Sequence, residues 1–376
     1  MSFNGIKLFK IFGIEVHLDY SWFVAFFLIT FSLAEGFYPS MYPDLPKTYY
    51  YLISVISAVM LFVSVLLHEL SHSLVAVRYS IPVKDIYLFI FGGVALFQDE
   101  AKTPSQEFKI AIAGPLMSFF LASIFFTIGY HYPKDDLFNG FLNYIFIVNF
   151  FLGAFNLIPA FPLDGGRIFR SLLWKKYGIL KATEIASNVG KYFGITLIIL
   201  GIFMIFTGNI INGIWLSFLG FFIKRASKEA LISTQLNYIL SRFRVDNIMR
   251  TMNPLNPDLT VLDFINFVKP NISTHLYPVL TQDGKILFLD IKDIQKLPYY
   301  QQEELTLKDV IKPIDKYVSP EEKLSQAYRY MIKEKLEEIP VRYKDIFLGI
   351  LKASDIEHII NKHLGQENES TNSRRR

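Results

Sequence analysis

"LLHELSHSL", residues 66–74, places His68, Glu69 and His72 inside a long apolar run. Burying two imidazoles and a carboxylate in hydrocarbon costs free energy unless the groups are paired or bind a metal, and such groups within a membrane usually have a function. On a helix, His68 and His72 are four residues apart and share one face, so two neutral imidazoles can ligate one zinc ion. Glu69 is adjacent, where it can accept a proton from water at the metal. The stretch therefore predicts a hydrolytic zinc site on a membrane helix.

The composition of the whole chain agrees with a membrane location. Its 376 residues are 52% hydrophobic and 16% aromatic, and the mean hydropathy is +0.31. These values exceed those of typical soluble domains, and the apolar excess is concentrated in residues 18–223. A net charge of +4 is too small to indicate a nucleic-acid partner. The absence of cysteine excludes disulfides and thiol ligands, so a metal must bind to histidines and carboxylates.

Membrane spans need about 20 mostly apolar residues to cross a hydrocarbon core of about 30 Å. We predict six spans, of which the last is short, at about 18–37, 50–78, 107–130, 138–160, 187–207 and 210–223. The connection after the second span is β-branched and aromatic and is interrupted by Gly92 and Gly93. This pattern predicts a small β-hairpin or sheet at the membrane interface. The predicted fold class is a polytopic α-helical membrane domain with an interfacial sheet, followed by a soluble domain.

The basic residues of the connections predict the orientation in the membrane. Six spans place both termini on one side. Basic residues gather in the N-terminal segment, in the second and fourth connections and after the last span: Lys7, Lys10, Arg78, Lys84, Lys102, Lys109, Arg167, Arg170, Lys175, Lys176, Lys181, Lys224, Arg225 and Lys228. Cytoplasmic loops carry such an excess of Lys and Arg. We therefore expect a multi-pass protein of the cell membrane with both termini in the cytoplasm.

A third zinc ligand is expected at the same depth on another span, because hydrolytic zinc sites usually have three protein ligands. "NLIPAFPLDGGR", residues 156–167, follows the fourth span and supplies Asp164. Pro159 and Pro162 interrupt the helix, and Gly165 and Gly166 permit close approach of the backbone. The alternative is that Asp164 caps the next helix, a position that aspartate also favours.

Four motifs together resemble the site-2 proteases, zinc metalloproteases that cut within or beside transmembrane helices. They are HELSH at 68–72, the pattern N-x-x-P-x-x-P-L-D-G at 156–165, FGGVALF at 91–97 and AIAGPLMS at 111–118. The resemblance covers about residues 5–223. It implies that His68, His72 and Asp164 ligate one Zn²⁺ and that Glu69 is the catalytic base.

The resemblance also implies one substrate-binding residue, and the need to hold an unwound substrate points to a second substrate-binding element. Asn156 would orient the substrate or stabilise the oxyanion; the alternative is an amide used in helix packing. The strand edge within 84–98, with Gly92 and Gly93, is a candidate to hold an unwound substrate segment by strand addition, or it is only an interfacial anchor. His17 and His131 lie near membrane faces and are not expected to ligate the zinc. Gly114 with Pro115 is expected to serve close helix packing.

An internal repeat occupies the soluble region. VDNIMR (245–250) matches LKDVIK (307–312), YPVL (277–280) matches IPVR (339–342), and LDIKDI (289–294) matches LKASDI (351–356), all at an offset of 62. A fixed offset across separate blocks indicates tandem duplication. The repeat resembles a pair of cystathionine-β-synthase (CBS) modules, which implies an α/β fold, a cleft for ATP or another adenine nucleotide, and a homodimer formed through the modules.

The nucleotide-binding residues of the CBS pattern are only partly present. Asp293 and Asp355 stand where the family binds ribose, yet they can also merely cap their helices. The family usually has Ser or Thr three residues earlier, where this chain has Asp290 and Lys352. This departure weakens the expectation of nucleotide binding, particularly in the first repeat, where a carboxylate would face phosphate.

The sequence therefore predicts four regions. Residues 1–223 form a membrane-embedded metalloprotease domain, 224–244 a helical linker, 245–363 tandem CBS modules (about 245–306 and 307–363), and 364–376 a disordered tail. The predicted function is hydrolysis of peptide bonds in or near transmembrane segments of membrane proteins, regulated by the CBS modules. The alternatives are a CBS-regulated transporter and a metal-binding scaffold without proteolysis. A transporter is expected to carry polar groups along a path at the midplane, whereas here they gather at one level near one face.

Overall fold

The computed structural model describes residues 5–90, 92–97, 99–133, 136–268, 274–344 and 346–373. Phe91, the first residue of the FGGVALF motif, and the last three residues of the predicted tail lie outside the described residues. The chain divides into two compact units, Met1–Ile232 and Ser233–Arg376.

The first unit combines long helices with four short strands. In chain order its elements are β1 (Gly5–Ile11), β2 (Ile14–Asp19), α1 (Tyr20–Ser32), a π-helical turn (Leu33–Phe37), α2 (Tyr38–Met41), α3 (Lys47–Arg78), β3 (Val83–Phe89), β4 (Gly92–Phe97), α4 (Pro104–Tyr130), α5 (Leu137–Asn156), α6 (Asp164–Phe206) and α7 (Ile210–Leu240), the last of which continues into the second unit.

Among the described residues, five helical stretches are long and apolar enough to cross a membrane. They are Tyr20–Met41, Lys47–Arg78, Pro104–Tyr130, Leu137–Asn156 and Asp164–Phe206. The predicted sixth span, 210–223, is the apolar first half of α7, which is not among these five. Charged residues follow from Lys224 onward, and the helix continues through most of the predicted linker without a break.

Helix α6 differs most from the predicted span at 187–207. It begins at Asp164, directly after the proline-containing segment, and is kinked at Gly178, whose φ is +77°. Glycine adopts positive φ without steric cost, so the chain can change direction there while both halves stay helical. The fourth predicted span also ends earlier than expected, at Asn156, because the segment with Pro159 and Pro162 is not helical.

The four strands form one sheet in the order β1-β2-β3-β4. Strands β3 and β4 form the predicted hairpin. Strands β1 and β2 were not predicted, and a tight turn at Phe12 and Gly13, both with positive φ, joins them. Strand β2 pairs in parallel with β3. Since β4 is last in the order, one of its edges has no strand partner among the described residues.

The sheet packs one face against the helices. Ile14, Val16 and Leu18 of β2 alternate with more exposed residues and are buried. Ile14 belongs to a core with Leu70 of α3 and Ile110 of α4. Burial of this apolar face fixes the sheet beside the part of α3 that carries the histidines.

The second unit is an α/β structure built from two similar halves. Its elements are a short 3₁₀ turn (Val245–Asn247), α8 (Val261–Val268), β5 (Leu276–Leu280), β6 (Ile286–Asp290), α9 (Ile291–Ile294), α10 (Tyr299–Glu304), α11 (Leu307–Val310), α12 (Leu324–Glu334), β7 (Glu338–Tyr343), β8 (Ile346–Lys352) and α13 (Ala353–Ser373).

Each half has its own antiparallel strand pair and its own apolar core. The core of the first half includes Phe264 and Leu289, and that of the second half includes Met331 and Leu351. Residues 289 and 351 are separated by the same offset of 62 as the sequence blocks. Helix α13 extends to Ser373, into the segment for which the sequence predicts a disordered tail.

Candidate metal centre

Helix α3 presents the two histidines. Its 32 residues contain neither proline nor glycine, so the helical register is continuous and the spacing of four residues places both imidazoles on one face. His68 and His72 are each 3% exposed. Their rings meet edge to face, with centroids 4.9 Å apart.

Asp164 meets both imidazoles. Its Oδ2 lies 3.1 Å from His68 Nε2 and 3.0 Å from His72 Nε2, and the residue is 9% exposed. The three donor atoms all lie within 4.8 Å of one another. Two imidazole nitrogens and one carboxylate oxygen are ordinary ligands of catalytic zinc. The three residues that the sequence indicates as ligands are therefore of the type and number that bind zinc, and their donor atoms converge on one point.

The segment before α6 delivers Asp164 to this position. A methyl group built at Gly165 would lie 2.3 Å from the carbonyl oxygens of Leu157 and Ile158, and one at Gly166 would lie 2.5 Å from the nitrogen of Phe161. Only glycine allows the chain to fold back this closely. Asp164 is the first residue of α6, one position after the N-cap Leu163, and its Oδ2 is directed at the two imidazoles.

Helix α4 holds the second nitrogen of each imidazole. His72 Nδ1 donates to the carbonyl oxygen of Ile110 at 2.6 Å, because a carbonyl can only accept. His68 Nδ1 lies 2.8 Å from Ser118 Oγ. Partners of this kind orient ligating imidazoles. The Ile110 carbonyl also fixes the His72 tautomer that leaves Nε2 free to ligate, whereas the Ser118 hydroxyl can donate or accept.

Gly114 lies between these two contacts on the same face of α4. A methyl group built on it would be 2.2 Å from His72 Nε2 and 2.5 Å from His68 Nε2. A side chain would thus occupy the space in front of both ligand nitrogens. The expectation that Gly114 serves close packing is too general, because the close approach is to the ligands themselves.

Glu69 lies under strand β4. The side chain is half-buried, and a methyl group built at Gly93 would lie 2.5 Å from Glu69 Cγ. The backbone of β4 therefore passes directly over the carboxylate. Gly92 has φ of +127°, a conformation that other residues avoid.

Asn156 is at the last position of α5 and is half-buried. Its Nδ2 donates to the carbonyl oxygen of Leu152 at 2.9 Å, one turn earlier in the same helix. Arg167 is nearer to the ligands, with Nη1 4.0 Å from Asp164 Oδ1.

Sequence reasoning missed the contribution of α4. Ile110, Gly114 and Ser118 recur every four residues, so they share one helix face, and this periodicity is visible in the sequence. Gly114 and Ser118 stand in the AIAGPLMS motif, but their contacts with the histidines were not predicted. The contact between α3 and α4 is a tertiary feature, and one of the groups is a backbone carbonyl.

Replacing Ser118 with alanine is expected to weaken zinc binding about 10–100-fold, the usual effect of losing an outer-shell partner. Cleavage should fall in parallel at limiting zinc and recover in part at saturating zinc. Zinc titration of the purified protein measures the first effect. Ser123→Ala serves as the control. Ser123 is a serine of the same helix, and the hydroxyl that contacts His68 is that of Ser118.

The predicted nucleotide residues of the second unit are ion-paired within the chain. Asp355 binds Arg250 through two hydrogen bonds of 2.7 and 2.5 Å, and Asp293 accepts from Lys312 Nζ at 2.8 Å. Arg250 and Lys312 are themselves 62 residues apart, so each half supplies the cation for the aspartate of the other half.

The two departures from the CBS pattern also have structural partners. Asp290 caps helix α9 by accepting from the backbone N–H of Lys292 at 2.9 Å. The buried Lys352 Nζ lies 2.5 Å from Thr274 Oγ1.

Comparison with known proteins shows the family of the chain. Residues 56–141 and 133–201 match the sequence profile of Peptidase family M50. The zinc metalloprotease MJ0392 of Methanocaldococcus jannaschii is 32% identical over 82% of this chain and 87% of its own. The protein sll0528 of Synechocystis is 30% identical over 94% of each chain.

A solved structure is also similar to part of the chain. The site-2 protease from Methanocaldococcus jannaschii is 35% identical, covers 61% of this chain and 95% of its own, and has a TM-score of 0.44. The two relatives are at least 30% identical over most of this chain, which also has the apolar helices and the histidine motif. The chain is therefore a membrane protein that belongs to peptidase family M50, the zinc metallopeptidases of the site-2 protease type.

Proposed function

We propose that His68, His72 and Asp164 hold the zinc ion of this intramembrane metalloprotease and that Glu69 is its catalytic base. The observation that carries the proposal is the convergence of three buried donor atoms within 4.8 Å. The carboxylate of Glu69 is on the residue directly after His68 in the same helix. When bound, zinc acidifies water and polarises a peptide carbonyl.

The chain's own residues perform the remaining tasks. The Ile110 carbonyl holds His72 in the tautomer that leaves Nε2 free to ligate, and Ser118 orients the ring of His68. Glu69 accepts the proton of the attacking water and passes it to the leaving amine. The side chains around the site, together with β4 above Glu69, restrict access of bulk water.

The substrate segment is proposed to lie along the free edge of β4. A transmembrane helix hides its carbonyls in its own hydrogen bonds, so it must unwind before cleavage. An unpaired strand edge supplies backbone donors and acceptors to an extended segment. The close passage of Gly93 over Glu69 supports this placement over that of a purely interfacial anchor. Asn156 as a substrate or oxyanion residue stays a prediction.

The cytoplasmic orientation is supported by the basic connections. The metal centre lies toward the Arg78 end of α3 and at the start of α6, where basic residues are concentrated. Under the positive-inside rule this end faces the cytoplasm, so cleavage is proposed to occur near the cytoplasmic ends of substrate helices.

The second unit is proposed to be a pair of CBS modules that regulates the membrane unit. Its two α/β halves and their repeated ion pairs support the tandem arrangement. A nucleotide ribose at Asp293 or Asp355 would have to displace Lys312 or Arg250. Binding of ATP or another adenine nucleotide and dimerisation through the modules stay predictions.

The proposal is tested by removing and restoring the metal. Purified protein in detergent is treated with a chelator, and cleavage of a membrane-embedded test helix with a Gly/Pro break near its cytoplasmic end is followed. We expect cleavage to stop and to return after Zn²⁺ is added back. Continued cleavage by metal-free protein would contradict the proposal.

A further inference from the structure

A second cluster of metal-ligating side chains lies on the sheet, outside the site described above. Glu15 and His17 are on β2 and Asp85 is on β3. Glu15 and His17 are two residues apart, so they point to one face. Glu15 and Asp85 are direct partners in the parallel register. All three side chains therefore share the face opposite to that of the buried Ile14 and Val16.

The distances within the cluster are too long for hydrogen bonds. His17 Nε2 lies 3.6 Å from Glu15 Oε2 and 3.4 Å from Asp85 Oδ1, beyond the usual range of about 2.7–3.2 Å. Adjacent ligands of a tetrahedral zinc ion, with bonds of about 2.0–2.1 Å, are about 3.3–3.4 Å apart. The separations match ligands that share an ion better than groups that bind each other.

The imidazole nitrogen in this cluster is shielded from water. His17 Nε2 is buried and has no hydrogen-bond partner among the described residues, although such atoms are normally paired. The ring is stacked on Tyr87, with centroids 4.7 Å apart and planes at 16°. It is thus held with this nitrogen directed at the two carboxylates.

The charges of the cluster also favour a cation. Two carboxylates directly opposite each other on neighbouring strands repel, and Asp85 is only 8% exposed. Lys7 neutralises one of them, because its Nζ binds Glu15 Oε1 at 2.7 Å. The other Glu15 oxygen and Asp85 Oδ1 remain facing His17.

We propose that Glu15, His17 and Asp85 form a second binding site for a divalent transition-metal ion, with Zn²⁺ as the representative ligand. One imidazole and two carboxylates suit first-row transition metals better than Ca²⁺ or Mg²⁺, which prefer oxygen donors alone. An ion there ties β2 to β3, within the same sheet as β4, which passes over Glu69. The sequence did not indicate this site, because Asp85 is 68 residues from His17 and the β2–β3 pairing was not predicted.

The test counts zinc ions per chain. The full-length protein in detergent is stripped of metal, titrated with Zn²⁺ against a chelating indicator and analysed for bound zinc. Wild type is expected to bind two ions and His17→Gln one. Glu15→Gln is a milder change at a partly exposed side chain. It is expected to lower the affinity for one of the two zinc ions at least about 10-fold. His131→Gln, which changes an exposed histidine at another position, is expected to bind two.

The catalytic ligands separate the two sites. His72→Ala is expected to retain one ion, the one lost in His17→Gln. A stoichiometry of one zinc in wild type, or equal stoichiometry in wild type and His17→Gln, would overturn the second site without affecting the assignment of the first.

Discussion

Asp164→Ala is expected to release the catalytic zinc and to abolish cleavage. Asp164 is the only carboxylate that lies against both imidazoles in the described part of the chain, with Oδ2 at 3.0 and 3.1 Å from the two Nε2 atoms. Removing it leaves two ligands, whereas hydrolytic sites generally need three. Zinc affinity at this site should fall by more than the roughly 100-fold that an outer-shell loss can cost.

Zinc analysis and cleavage of the test helix measure both effects. Asp44→Ala is a matched control, because it removes an exposed aspartate from the connection before α3. If Asp164→Ala binds catalytic zinc as tightly as wild type, the carboxylate is not a ligand and the assignment fails.

Gly114→Ala is expected to have an effect of similar size through steric exclusion. The added methyl group would stand 2.2 and 2.5 Å from the two Nε2 atoms, closer than any real contact, so α4 must move away from α3 or the imidazoles must turn. Either movement disturbs the ligand geometry. We expect zinc affinity to fall at least about 100-fold and cleavage to fall with it.

The control for this variant lies on the same helix. A methyl group at Gly129 would be 3.5 Å from Leu142 Cβ, an ordinary contact, so Gly129→Ala should retain zinc and activity. Thermal unfolding of both variants separates local exclusion from general overpacking, which costs about 1–3 kcal/mol. Wild-type zinc binding by Gly114→Ala would show that α4 does not close over the ligands.

Much of the metal centre was predictable because its chemistry is local in sequence. His68, Glu69 and His72 lie within five residues on a helix without breakers, and the apolar surroundings make them conspicuous. Asp164 was a candidate ligand because it follows the fourth span and is flanked by prolines and glycines, with helix capping as the alternative. The structure places its carboxylate against both imidazoles.

The parts that were not predicted depend on pairing between distant segments. Strands β1 and β2 are short, and their stability comes from pairing with β3 and packing on α3. The contacts of α4 with the histidines likewise arise only when two helices pack. In the second unit the repeat predicted two halves. The ion pairs of Asp293 with Lys312 and of Asp355 with Arg250, each of which joins one half to the other, could be seen only in the structure.

The most direct test of the account compares wild type with Glu69→Gln, each with zinc quantified, on the membrane-embedded test helix. The change preserves size and removes the basic carboxylate, so both proteins should hold the catalytic zinc equally while cleavage falls about 10²–10⁴-fold, the usual contribution of a general base. Glu229→Gln, at an exposed glutamate of α7, should cleave like wild type. Cleavage by Glu69→Gln at the wild-type rate would contradict the assignment of Glu69 as the catalytic base.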